Sequence, residues 1–120
     1  MGRPAETRRR ALRRGHRAEW WAAASLVVTG WRVVAIRHRN PLGEIDLIAR
    51  KAGLVAIIEV KARSDVSAAV DAVSPSARRR IRAAADLWLS RQPDAATLSL
   101  RFDIIAVRPW RWPVRLADAF

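Results

Sequence analysis

Two short apolar runs set the pattern of this chain. Gly43-Glu44-Ile45-Asp46-Leu47-Ile48-Ala49 and Ile57-Ile58-Glu59-Val60-Lys61-Ala62-Arg63 are both rich in Ile, Leu and Val and of strand length. Arg50-Lys51-Ala52-Gly53 lies between them, a polar connection ending in Gly that predicts a hairpin turn. Centred on Ala52-Gly53, the hairpin sets Asp46 opposite Glu59 and Glu44 opposite Lys61. All four share one face, because side chains alternate along a strand. Away from that charged end Ile45, Leu47, Val55, Ile57, Ile58 and Val60 make both faces apolar, as in strands at the middle of a covered sheet.

The remaining elements follow from period and punctuation. Residues 10–29 read as a helix in which Ala22, Ala23 and Leu26 follow Glu19 at +3, +4 and +7, and Gly30 closes it. Glu19 thus lies in line with the buried stripe, where an acid needs a partner. Residues 31–37 alternate weakly and read as a first strand, followed by a loop, Arg37-His38-Arg39-Asn40-Pro41. Residues 64–73 read as a loop or short helical turn. Ser74-Pro75 then supplies an N-cap and a first-turn proline, Ile81, Ala84, Ala85, Trp88 and Leu89 form an amphipathic stripe, and Pro93 ends that helix. Residues 98–107 form a fourth strand. The order αβββαβ gives an α/β fold: a three-stranded antiparallel meander, then a helical crossover to a parallel fourth strand, with helices on both faces.

Composition narrows the partner more than the fold. A hydrophobic content of 51% over 120 residues suits one folded domain, read here as residues 15–120 behind a basic arm at 1–14. The formal charge is +12, and Lys51 and Lys61 are the only lysines. Arginine matches phosphate bidentately and stacks on bases, which points to nucleic acid rather than membrane. The seven arginines within residues 1–17 read either as a phosphate-binding arm or as a solvated helix start. That basic start before Trp20-Trp21-Ala22-Ala23-Ala24 imitates a secretory signal, but Glu19 beside the apolar run argues against it. No run is long enough to span a membrane, and the absence of Cys fits a cytoplasmic protein.

The opposed carboxylates carry the chemistry. Asp46 facing Glu59 is repulsive unless something positive lies between them. An all-oxygen donor pair with no Cys and no nearby His suits Mg²⁺ or Mn²⁺ rather than zinc. Lys61 could then orient the attacking water or hold a phosphate oxygen. The plainer alternative is an exposed hairpin with a Glu44–Lys61 surface ion pair of little worth. Arg78, Arg79, Arg80 and Arg82 on the second helix read first as a solvated face and second as a phosphate grip. Arg108-Pro109-Trp110-Arg111-Trp112-Pro113-Val114-Arg115 could stack on unpaired bases, but a tail that folds back and packs its aromatics is the favoured reading.

Asp46, twelve intervening residues and then Glu59-x-Lys61 resemble the D…(D/E)xK signature of restriction-endonuclease-like nucleases. More closely, Gly43-Glu44-Ile45-Asp46-Leu47-Ile48 with Glu59-Val60-Lys61-x-Arg63 resembles the YraN family, small bacterial proteins of nuclease-like fold and largely uncharacterised function. Gly15-x-Arg17-Ala18-Glu19, Asn40, Arg101-Phe102-Asp103 and the terminal Asp118-Ala119-Phe120 extend the resemblance from about residue 15 to the end. The chain departs from it at Ala77, where the family usually shows Lys.

The resemblance implies a metal-dependent endonuclease. Asp46 and Glu59 would hold Mg²⁺ or Mn²⁺ with the Val60 carbonyl, and Lys61 would position the nucleophile. Glu19 and Glu44 are further ligand candidates, and Glu19 in the family faces the metal site. Arg63, Arg78, Arg79 and Arg101 are candidate nucleic-acid contacts, with Arg101 read first as a buttress to Asp103 at the edge of the site. The layout is similar to archaeal Holliday-junction resolvases, so branched DNA is the implied substrate. Symmetric cutting of two strands needs a homodimer, and nothing in the sequence shows one. The competing expectation is a non-catalytic nucleic-acid-binding module on the same fold.

Overall fold

The computed structural model describes the backbone of residues 4–120 and side chains from residue 15 onward; the side chains of the basic arm at 1–14 lie outside the described residues. Helix α1 (Pro4–Val28) starts earlier than its stripe predicts. It ends in a Schellman motif: Gly30 takes φ 92°, Trp31 N–H donates to Leu26 O (2.9 Å), and Gly30 N–H donates to Val27 O (3.1 Å). The closure turns the chain sharply and packs Trp31 with Leu26 in the core.

Strands β1 (Arg32–Asn40), β2 (Gly43–Lys51) and β3 (Leu54–Ala62) form the expected meander. β1 is longer than its weak alternation suggests. The expected loop at 37–41 is strand up to Asn40, because Asn40 pairs with Gly43 across the two-residue turn Pro41-Leu42. Asn40 Oδ1 accepts the Leu42 N–H (3.0 Å), which holds that turn. The expected loop or short helical turn at 64–73 holds the six-residue helix α2 (Val66–Asp71), capped by Asp65, and α3 (Pro75–Ser90) is capped by Ser74 as expected. After a 3₁₀ turn, β4 (Ser99–Val107) returns parallel to β3. The chain then adds a short β5 (Val114–Leu116), antiparallel to β4, which the sequence reading missed. The sheet order is β1-β2-β3-β4-β5, so β3 is the central strand.

The sheet is covered on both faces. Ala18, Ala22, Ala23 and Leu26 of α1 pack with Leu47, Ala49, Ala56, Ile58 and Ile105 on one side. Ile81, Ala84, Ala85 and Trp88 of α3 pack with Ile48, Val55, Ile57, Phe102 and Ile104 on the other. The approach is close: a Cβ on Gly43 would stand 3.2 Å from Arg80 O. The double burial explains why β3 is apolar at nearly every position.

One polar group is wholly enclosed. The Asp103 side chain accepts from Arg101 twice, Nε to Oδ1 (2.9 Å) and Nη2 to Oδ2 (2.8 Å), and from Asp118 N–H (2.9 Å). Arg115 adds a contact at 3.7 Å. Removing one side of a buried ion pair strands the other, which costs ~3–5 kcal/mol. Asp103→Ala is therefore expected to lower unfolding stability by about that amount in urea titrations followed by circular dichroism. A loss below ~1 kcal/mol would contradict the assigned role.

Candidate active site

The candidate site forms where β2 leaves β3. The paired register runs from Lys51↔Leu54 to Leu47↔Ile58, as the hairpin pattern predicts, and continuing it by one step sets Asp46 against Glu59. At that step the ladder opens. The Asp46 carboxylate occupies the gap, its Oδ2 accepting the Val60 N–H at 2.8 Å. Strand alternation breaks at the same place: Leu47 and Ala49 face α1, whereas Ile45 and Ile48 both face α3. Across the other ladder Arg37, which lies between the pairs Ile36↔Leu47 and His38↔Ile45, takes φ 52°.

Two acids meet at this irregularity, and a third, Glu19, approaches Asp46 from α1. Glu59 has a side-chain exposure of 13%, lies within hydrogen-bonding reach of Asp46, and has Lys61 Nζ at 3.5 Å from its Oε1. Burial pushes the Glu59 carboxyl up to about 9; the hydrogen bond and charge of Asp46 add to this and Lys61 opposes it. Glu19, buried on α1, is held by Arg37 (Nη1 to Oε2, 2.5 Å). Burial raises its pKa too, against the pull of Arg37, and the charge of Asp46 pushes the same way. Glu19 is therefore both partnered by an arginine and within the field of Asp46, combining two readings that the sequence sets as alternatives. Val60 follows Glu59 on β3, and its N–H is engaged by Asp46. Among the described residues, no group of three or more His, Cys, Asp or Glu side chains stands ready to enclose a metal ion. The oxygen donors at hand are the Asp46–Glu59 pair and backbone carbonyls.

The other candidates lie elsewhere. Glu44 does not meet Lys61: it pairs with Arg39 on β1, is exposed, and accepts Arg39 Nε at 3.0 Å. Its expected partner is lost because the β2·β3 ladder has already opened. Arg101 is not at the edge of the Asp46–Glu59 pair. It lies beside Ala56 in the register, on the α1 face, with its guanidinium on Asp103 and 5.4 Å from the Trp31 ring. Glu59 pairs with Ile104 on the opposite face. Arg63 is exposed at the carboxyl end of β3, its N–H donating to Val107 O (3.2 Å). Arg78 donates Nε to Val73 O (3.1 Å) and lies 5.6 Å from the Phe120 ring, while Arg79 points to solvent. Ala77, where the family usually carries Lys, supplies its N–H to the Ser74 cap. Arg37 is the site residue that sequence reasoning missed. Placed in a presumed loop, it gave no sign of its partner except the unpaired acid on α1.

The raised Glu59 pKa fixes a sign. Below about pH 4 the group is protonated in folded and unfolded chains alike. Between there and about pH 9 the folded state keeps a proton that the unfolded state has lost, so stability falls as pH rises through that window and levels off above it. Glu59→Gln is expected to flatten that slope and to melt at a higher temperature than the parent at about pH 8 in metal-free buffer. Thermal unfolding across the window reads both effects, and an unchanged slope in the variant would contradict the burial of Glu59 against Asp46.

Comparison with known proteins places the chain in a family. The model of an uncharacterised protein family, UPF0102, matches residues 18–107, which span Glu19, Asp46, Glu59 and Lys61. A UPF0102 protein of Agrobacterium fabrum is 63% identical over 113 residues, covering 94% of this chain and 93% of its own. A second, of Sinorhizobium fredii, is 59% identical over 118 residues (98% and 97%). A third, of Mesorhizobium japonicum, is 56% identical over 118 residues (98% and 94%). The matches run nearly end to end, and the YraN family is this same family. The chain belongs to the uncharacterised protein family UPF0102.

Proposed function

We propose that this protein is a metal-dependent endonuclease that hydrolyses phosphodiester bonds in nucleic acid, with branched DNA as the first substrate to try. The observation that carries the reading is the meeting of Asp46 and Glu59 at an opened ladder, largely shielded from solvent, with Lys61 beside them. Two carboxylates enclosed together share a proton or a cation, because their repulsion is otherwise uncompensated. The raised pKa of Glu59 means that a proton fills that place in the metal-free protein. An all-oxygen set of this size fits Mg²⁺ or Mn²⁺. Asp46, Glu59 and the Val60 carbonyl would hold the ion, which supplies Lewis acidity toward the scissile phosphate.

The chain's own groups do the rest. Lys61 is close enough to Glu59 to orient the nucleophilic water or to hold a non-bridging phosphate oxygen. Glu19 stays on Arg37, which keeps a third negative charge from adding freely to the pair. Arg63 and the outward arginines of α3 offer phosphate contacts; Arg79 and Arg82 are exposed. A second reading is favoured by one observation: the Asp46 carboxylate already serves the Val60 N–H, so it has a structural task without any metal. In that reading the protein binds nucleic acid through its arginines and cuts nothing.

The two readings separate in one experiment. Purified protein is incubated with duplex, single-stranded and four-way-junction DNA in Mg²⁺, Mn²⁺ or EDTA, with Asp46→Ala and Lys61→Ala in parallel. The nuclease reading expects metal-dependent cleavage that Asp46→Ala abolishes and Lys61→Ala slows by about 10²- to 10³-fold. Salt-sensitive binding with no cleavage under any condition would favour the binding module instead.

A further inference from the structure

The Arg108–Pro113 segment, expected to pack its aromatics, does so only in part. Trp112 meets Trp21 of α1 edge to face, with ring centroids 6.3 Å apart, and Pro113 is buried. Trp110 is left out entirely, at 103% exposure. It stands at the tip of a turn closed by Arg111 N–H to Arg108 O (3.4 Å). Pro109 at the second position and φ 58° at Trp110 give that turn the signature of type II, whose third position calls for Gly or Asn. A bulky residue there is strained. The fold gains nothing from its ring, which touches solvent on every side.

Its place in the sheet gives the ring a use. β3 and β4 run parallel, with Lys61 beside Ala106 and Ala62 beside Val107. Arg63 N–H bonds back to Val107 O. The turn therefore leaves β4 at the same end of the sheet at which β3 carries Glu59, Lys61 and Arg63. It is fixed at its base through Trp112 on Trp21, on the solvent side of α1. Arg111, the residue after Trp110, is exposed, whereas Arg108 is half-buried with its Nε enclosed. An anchored turn with a free indole, at the end of the sheet that carries Lys61 and the exposed Arg63, offers the parts of a single-strand binding surface: cations for the backbone and a flat face for a base.

We propose that Trp110 is a base-stacking residue, and that the nucleic acid this site takes is one with unpaired bases, single-stranded or locally opened, in preference to intact duplex. The inference rests on the proposed nucleic-acid function but not on cleavage. A paired base cannot present its face to an indole, whereas an unpaired one can whatever its identity, so the preference is for open structure rather than sequence.

The test measures binding in EDTA, by fluorescence anisotropy of labelled single-stranded and blunt duplex DNA of equal length, for the parent, Trp110→Asn and Trp110→Phe. Asn tolerates the positive φ and carries no aromatic face. Trp110→Asn is expected to weaken single-strand binding by about 5- to 150-fold, the equivalent of ~1–3 kcal/mol for one stacked base. Duplex affinity and the salt dependence should not change, since no phosphate contact is removed. Trp110→Phe should keep most of the single-strand affinity, and the melting temperature of Trp110→Asn should equal or exceed that of the parent. Equal single-strand affinity in the parent and Trp110→Asn would overturn the inference and leave the nuclease reading standing. A melting temperature several degrees lower would overturn it as well, by giving the ring a structural role. Failure of the parent to bind any DNA would remove both.

Discussion

The meeting of two carboxylates inside the sheet is the constraint on which the rest depends. Asp46 and Glu59 sit where β2 and β3 part, and each feature nearby accommodates them. Asp46 takes the place of a ladder carbonyl for Val60 N–H, so the opening leaves that donor satisfied. Arg37 departs from strand geometry opposite Asp46 and turns to Glu19. Lys61 stands beside Glu59. An unpaired buried carboxylate costs several kcal/mol, so the pair persists only because the framework around it is rigid. That rigidity comes from β3, which lies at the centre of the sheet between the α1 and α3 layers.

Much of this framework could be read from the chain, for identifiable reasons. The β2–β3 register was legible because both strands are covered on both faces and their turn is two residues long, which leaves little freedom to slip. The α3 stripe and its Ser74 cap were legible because helix period and cap chemistry are local signals. What failed was non-local. The partner of Glu44 could not be known without β1, which competes for the same strand and presents Arg39 to it. Arg101 and Asp103 were rightly paired but misplaced, because their shared face follows from the side on which α1 packs. Strand β5 is three residues long, too short for period to register.

The formal charge overstates the cationic surface available to a ligand. Arg37 is engaged by Glu19, Arg39 by Glu44, Arg50 by Asp94, and Arg101 and Arg115 by Asp103. Those guanidiniums are structural first. Around Trp31 the point is clear: Lys51, Arg101 and Arg115 all lie within 6 Å of its ring, at 5.8, 5.4 and 5.4 Å. There the cations pack an aromatic and neutralise an enclosed aspartate. The exposed arginines are a smaller set, and Arg63, Arg79, Arg82 and Arg111 belong to it. Under the proposed nucleic-acid function, phosphate attraction would be confined to that set, and discrimination between nucleic-acid forms would fall to groups that read shape.

Departures from local rules are spread unevenly over the molecule. Ala52 at positive φ closes the β2–β3 hairpin, and Asp118 at positive φ gives its N–H to Asp103, so both are explained by the fold. Arg37, the broken alternation at Asp46, the crowded Asp46–Glu59 pair and the strained Trp110 are different: packing explains none of them. They gather along the end of the sheet formed by the carboxyl ends of β1, β3 and β4 and the amino end of β2. A sequence selected for stability alone would place a neutral pair at Asp46 and Glu59 and a glycine at Trp110. Strain of independent kinds thus collects along one edge of the sheet, which is why the proposed chemistry and the proposed stacking residue are sought there and not in the well-packed remainder.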